Sequence, residues 1–94
     1  MVQVVENWAD LVGRVRAGPR PESQWWTCEV EVEEVRPVDP WPNLLQQYAG
    51  QVLSVRLREE VARRLGPDRL VLRARLAGPG VVWAATDPDV VRPG

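Results

Sequence analysis

The chain reads as a mainly β domain of small-barrel type, and three observations predict this. Val is used 17 times in 94 residues while Phe and Ile are absent, and β-branched Val favours strands. Apolar and polar residues alternate at period two in several separate runs. Gly and Pro punctuate the intervals between those runs. Ninety-four residues suit one domain, 1–94, with one core over about residues 8–86 and a C-terminal tail over 87–94.

The clearest run is Trp26 to Glu33. Trp26, Cys28, Val30 and Val32 alternate with Thr27, Glu29, Glu31 and Glu33, the pattern of a strand with one buried and one wet face. The phase slips at Glu33-Glu34, where Val35 becomes the apolar residue, so a β-bulge is expected there. Pro37, Pro40 and Pro42 then end the strand. Asn43 suits an N-cap for a short helical stretch, Leu44 to Ala49, with Gly50 at its end and Leu44 and Tyr48 on one face.

Val52 to Arg58 reads as a strand with Leu53, Val55 and Leu57 inward and Ser54, Arg56 and Arg58 outward. Glu59 to Leu65 reads as a two-turn helix, with acids in its first turn, Arg63 and Arg64 in its last, and Gly66-Pro67 as the stop. Leu70, Leu72, Ala74 and Leu76 mark another strand, with Val71, Arg73 and Arg75 outward. The turn Gly78-Pro79-Gly80 joins it to a strand over Val81 to Thr86 as a hairpin.

The N-terminal segment admits two readings. As a strand it turns Leu11, Gly13 and Val15 inward and Val12, Arg14 and Arg16 outward. As a helix it gathers Val4, Trp8, Leu11 and Val15 on one face, with Asn7 as cap. Under the strand reading, the order strand, strand, strand, helix, strand, strand over Trp8 to Thr86 resembles an OB-fold, a five-stranded Greek-key barrel. The helix reading gives instead an α+β fold, with an N-terminal helix on a four-stranded antiparallel sheet.

The counts exclude much chemistry. With no His there is no imidazole base, His-based metal site or Ser-His-Asp triad. Cys28 is the single Cys and falls in phase with core residues, where a thiol is inert. No Gly-rich phosphate loop or metal-ligand spacing occurs. Glu59-Glu60 suits a helix start, and Asp87 with Asp89 suits a Pro-bearing turn. The expectation is therefore no enzyme, no cofactor and no metal. Met1 to Asp10 lacks a basic region followed by an apolar run, so no signal peptide is expected. One Cys fits a cytoplasmic, reducing compartment. Arg in place of Lys, Val in place of Ile, and abundant Pro and Ala are typical of a GC-rich bacterial genome. Many Pro and few Asn are compatible with a thermophile.

Binding remains. The resemblance implies a functional face on strands two and three, flanked by the loops Ala17 to Gln24 and Ala77 to Gly80. Net charge is −1, so any basic surface must be local. The simplest expectation for Glu29, Glu31 and Glu33 is a neutral ladder between Arg14/Arg16 and Arg56/Arg58. Trp26 and Trp8 are expected in the core. Trp25, Trp41 and Trp83 are expected at a surface where a protein partner or a second copy would bind, with Trp83 near Arg56 or Arg58 as a cation–π contact. Alternatively Arg16, Arg20, Arg56 and Trp25 would hold single-stranded nucleic acid.

Overall fold

In the computed structural model, which describes residues 5–94, the N-terminal segment is a strand. The helix reading is thereby corrected, and Val4, which belonged to it, lies outside the described residues. β1 (Ala9–Glu22) and β2 (Trp25–Pro37) form a long antiparallel hairpin. β3 (Val52–Leu57) follows, then the single-turn helix α1 (Glu59–Ala62), β4 (Leu70–Gly78), β5 (Val81–Ala84) and a two-residue β6 (Arg92–Pro93).

The sheet runs β1-β2-β3-β5-β4 and closes where β4 pairs back onto β1. β3 and β5 are parallel, and every other neighbouring pair is antiparallel. This is a closed five-stranded mixed barrel of OB-fold-like form, with its short helix between the third and fourth strands. Closure leaves no long free sheet edge to manage, except where β1 outruns β4 beyond Gly13.

The expected bulge falls at Glu33. Val12 lies opposite Glu34 and Gly13 opposite Val32, so Glu33 is the extra residue on β2. Gly13 is needed at this point because β2's backbone passes against it. A Cβ there would run into the Glu31 carbonyl oxygen and lie 2.9 Å from its carbon. Bulge and glycine together let β1 bend from β2 towards β4.

Alternation set the core as expected. Cys28, Val30 and Val32 pack with Val55, Leu57, Leu72, Ala74 and Val82, all essentially inaccessible. Three local expectations are corrected. The stretch after Asn43 is a 3-10 turn, Gln46–Tyr48, and its anchor is Leu45, fully buried, rather than the Leu44/Tyr48 face. Asn43 is not its cap: Leu45 holds that position without a side-chain cap bond, and the Asn43 side-chain carbonyl oxygen accepts from the Leu45 amide at 3.2 Å just ahead of the turn. α1 stops at Ala62, and the chain runs on to Leu65 in tighter turns, with the Arg64 and Leu65 amides donating to the Val61 and Ala62 carbonyls, before Gly66-Pro67. Val12 and Val71 are buried rather than outward-exposed. They sit opposite each other across β1 and β4, where the C-terminal segment runs alongside, with Val71 paired to Arg92.

That segment is held by Asp10, 7% exposed. Its carboxylate accepts from Arg73 at 3.0 and 3.3 Å and from Arg92 at 2.9 Å. Hydrogen bonding to Asp10 holds the Arg73 pKa above its ordinary value.

Candidate ligand-binding face

The chain has 12 Arg, and their partners divide the surface. Nine form ion pairs: Arg14, Arg16, Arg20, Arg36, Arg63, Arg64, Arg69, Arg73 and Arg92. Arg56, Arg58 and Arg75 have no carboxylate partner among the described residues. These three stand on β3, at its end, and on β4, around β5.

The acidic row of β2 is neutralised from one side only. Arg16 pairs with Glu31, Arg20 with Glu29 at 3.1 Å, and Arg14 and Arg69 with Glu33 at 3.9 and 2.8 Å. The Arg20 guanidinium donates both hydrogen bonds that hold the Glu29 carboxyl below its usual value. The ladder expected to reach Arg56 and Arg58 is corrected. Register across β2 and β3 sets Glu29 opposite Ser54 and Glu31 opposite Val52, so Arg56 faces Thr27 instead. The loop expected over Ala17 to Gln24 is also corrected, since β1 continues to Glu22 and only Ser23-Gln24 turns. Arg16 and Arg20 are therefore strand residues committed to β2.

Freed from carboxylates, Arg56 lies over the Trp25 ring, 4.7 Å from its centroid. Trp25 meets Trp83 edge-on, with centroids 6.0 Å apart and planes at 66°. Trp83 sits opposite Arg56 on one side and Arg75 on the other. The expected Arg–Trp contact thus falls on Trp25, the ring beside Trp83. Local alternation explains why these side chains point outward: Val55, Leu57, Val82 and Ala84 take the inner positions. Trp25, Trp83, Arg56 and Arg75 are half-buried. Arg58 is exposed and lines a recess with Trp25, Trp26, Gln24 and Glu60.

Trp26 packs against the core as expected. Trp8 does not. Asn7 and Ala9 on either side of it are buried, and Trp8 turns to the outer surface, where Arg75 lies 5.9 Å from its ring centroid. Asn7 fixes this arrangement: its side chain donates to the Leu76 carbonyl and accepts from the Leu76 amide, at 2.9 and 2.8 Å. Sequence reasoning missed Trp8 and Arg75 as members of the face. The alternation in β4 placed Arg75 outward, but nothing local named its neighbours. Trp41, 38% exposed, is separated from Trp25 and Trp83. It borders a shallow recess of about 190 Å³ with Trp8, Val38, Arg73 and Ala85.

The remaining chemistry is sparse. The Cys28 thiol, buried among strands, is pushed up to about 12 by desolvation, so it stays protonated at neutral pH. Among the described residues no cluster of three or more acidic, Cys or His side chains is placed to hold a metal ion. No helix among them is long and apolar enough to cross a membrane. The chain matches no protein-family model, and no curated protein or solved structure proved significantly similar to it.

Proposed function

We propose that this chain is a non-catalytic binding module that takes single-stranded nucleic acid across the outer face of β2, β3 and β5. One observation carries the reading. The three guanidiniums without a carboxylate partner among the described residues gather around Trp25 and Trp83, while the other nine form ion pairs. Single-strand binders combine a positive surface for the backbone with aromatic rings on which bases stack. Arg is suited to both tasks, since its planar guanidinium pairs with phosphate and stacks on rings. The barrel's topology supports the same face, although topology alone would not carry the argument.

The alternative partner, another protein or a second copy, rests on the same tryptophans. It is favoured less, because the large apolar side chains most exposed among the described residues, Val5, Trp41 and Val52, are few and lie on three different segments, before β1, after β2 and on β3.

Titration of labelled oligonucleotides at two salt concentrations tests the reading. Three phosphate contacts on a single strand give a log–log salt slope of about −2. Quenching of Trp emission and that slope are expected. Absence of binding at low salt, or binding indifferent to salt, refutes the proposal. Light scattering on wild type and Trp83→Ala addresses the alternative: a dimer dissolved by the substitution would assign the face to self-association.

A further inference from the structure

We infer that the nucleic-acid track does not end at β3 and β5 but continues across β4 to Trp8 and the Trp41 recess, making a site for about four nucleotides. This rests on the single-strand reading above and extends it to a second half of the surface. Two units of the same construction lie on one face. In the first, Arg56 covers Trp25 at 4.7 Å. In the second, Arg75 lies 5.9 Å from the Trp8 centroid. Trp83 stands between them, opposite both Arg56 and Arg75 in the strand register.

The order across the strands is therefore Trp25, Arg56, Trp83, Arg75, Trp8, followed by the recess that Trp8 shares with Trp41. From β2 through β3, β5 and β4 to the segment before β1 there are four strand spacings, roughly 19 Å. The path crosses the strands rather than following one, so bases and phosphates meet alternating rings and cations. Four tryptophans offer one stacking ring per base, and about four nucleotides is the small end of site sizes for such barrels.

Positive charge recurs along the track from Arg56 onward, while Arg58 shares its recess with Glu59 and Glu60. Arg58, Arg56 and Arg75 lack carboxylate partners among the described residues. At the far end Arg73, which lines the recess, shares the single carboxylate of Asp10 with Arg92, leaving one positive charge in excess. The acids of β2 face the other way, towards β1. An extended anion of alternating charge and flat apolar rings is the occupant that matches this sequence of groups.

Oligo(dT) of two, four and eight nucleotides, titrated against wild type, Arg75→Ala, Arg75→Lys and Trp41→Ala, tests the extension. Wild type should bind the tetramer at least tenfold more tightly than the dinucleotide, with little further gain at eight. Trp41→Ala, at an exposed site, should weaken the tetramer about fivefold or more and leave the dinucleotide unchanged. Arg75→Ala should flatten the tetramer's salt slope by about 0.7, and Arg75→Lys should restore it. Tetramer binding that is the same in Trp41→Ala as in wild type overturns the extension and leaves the shorter face intact, whereas an unchanged salt slope in Arg75→Ala counts against both. A wild type that binds none of the three lengths at low salt overturns both.

Discussion

Gly13→Ala offers a sharp test of how this barrel closes. The added methyl would overlap the Glu31 carbonyl oxygen and sit 2.9 Å from its carbon and 3.3 Å from Val32 Cα. All three are backbone atoms, held in the β1–β2 ladder beside the Glu33 bulge. No side chain can swing aside, so the two strands must part. Overpacking a core costs about 1–3 kcal/mol where side chains adjust, and a backbone clash belongs at or above the top of that range. A domain of this length holds roughly 5–14 kcal/mol in all. A loss of about 3 kcal/mol lowers Tm by roughly 12–24 °C. Urea and thermal unfolding followed by circular dichroism measure it. Gly66→Ala is the control: its Cβ would meet nothing within 4 Å, and its effect should stay within about 0.5 kcal/mol or be slightly stabilising. If Gly13→Ala costs less than about 1 kcal/mol, the strands are not as close as the register requires, and the account of the bend fails.

Leu57→Ala, at a fully buried position, should cost about 2–5 kcal/mol in denaturant unfolding, whereas Val52→Ala, 56% exposed, should stay within about 0.5 kcal/mol. Asp10→Ala removes the acceptor shared by Arg73 and Arg92. It should cost about 1–3 kcal/mol and speed hydrogen exchange at the Gly94 amide, which donates to Arg69; unchanged exchange there would mean the tail is held by other contacts. Glu29 and Glu34 have carboxyls lowered from 4.5 by hydrogen bonds from Arg20 and Arg36. Their folded values lie below the unfolded ones, so their contribution is full above about pH 4.5 and is lost as acid protonates them. Stability should therefore be flat from neutrality to about pH 5 and fall below it, and Glu29→Gln should make the acid limb shallower.

How much was legible in advance varies along the chain for a physical reason. Period-two alternation marked the inner faces of β2, β3 and β4, and the slip located the bulge to the Glu33-Glu34 pair, of which the structure selects Glu33. Both are properties of neighbours in sequence. The short elements were read less well. Asn43 was expected to cap, but Leu45 holds the cap position and anchors the turn, because a 3-10 turn presents a different face from an α-helix.

The candidate face depended on contacts between distant strands. Arg56 was expected to meet the Glu row, and register placed Thr27 there instead. A shift of one residue on either strand would have turned the whole pattern over. That register pairs β2 with β3 across the intervening segment 38–51, so it is not encoded near Arg56. Trp8 followed the same rule. It was apolar enough for the core, but Asn7 and Ala9 took the inner positions and left its ring outside under Arg75.

Sequence by itself determined a mainly β chain, the inner faces of β2 and β3 and the want of His, since composition and local periodicity suffice for these. Tertiary structure decided closure into the barrel and which cations remained unpaired, because seven of the nine ion pairs join residues on different segments, and only Arg36–Glu34 and Arg63–Glu59 are local.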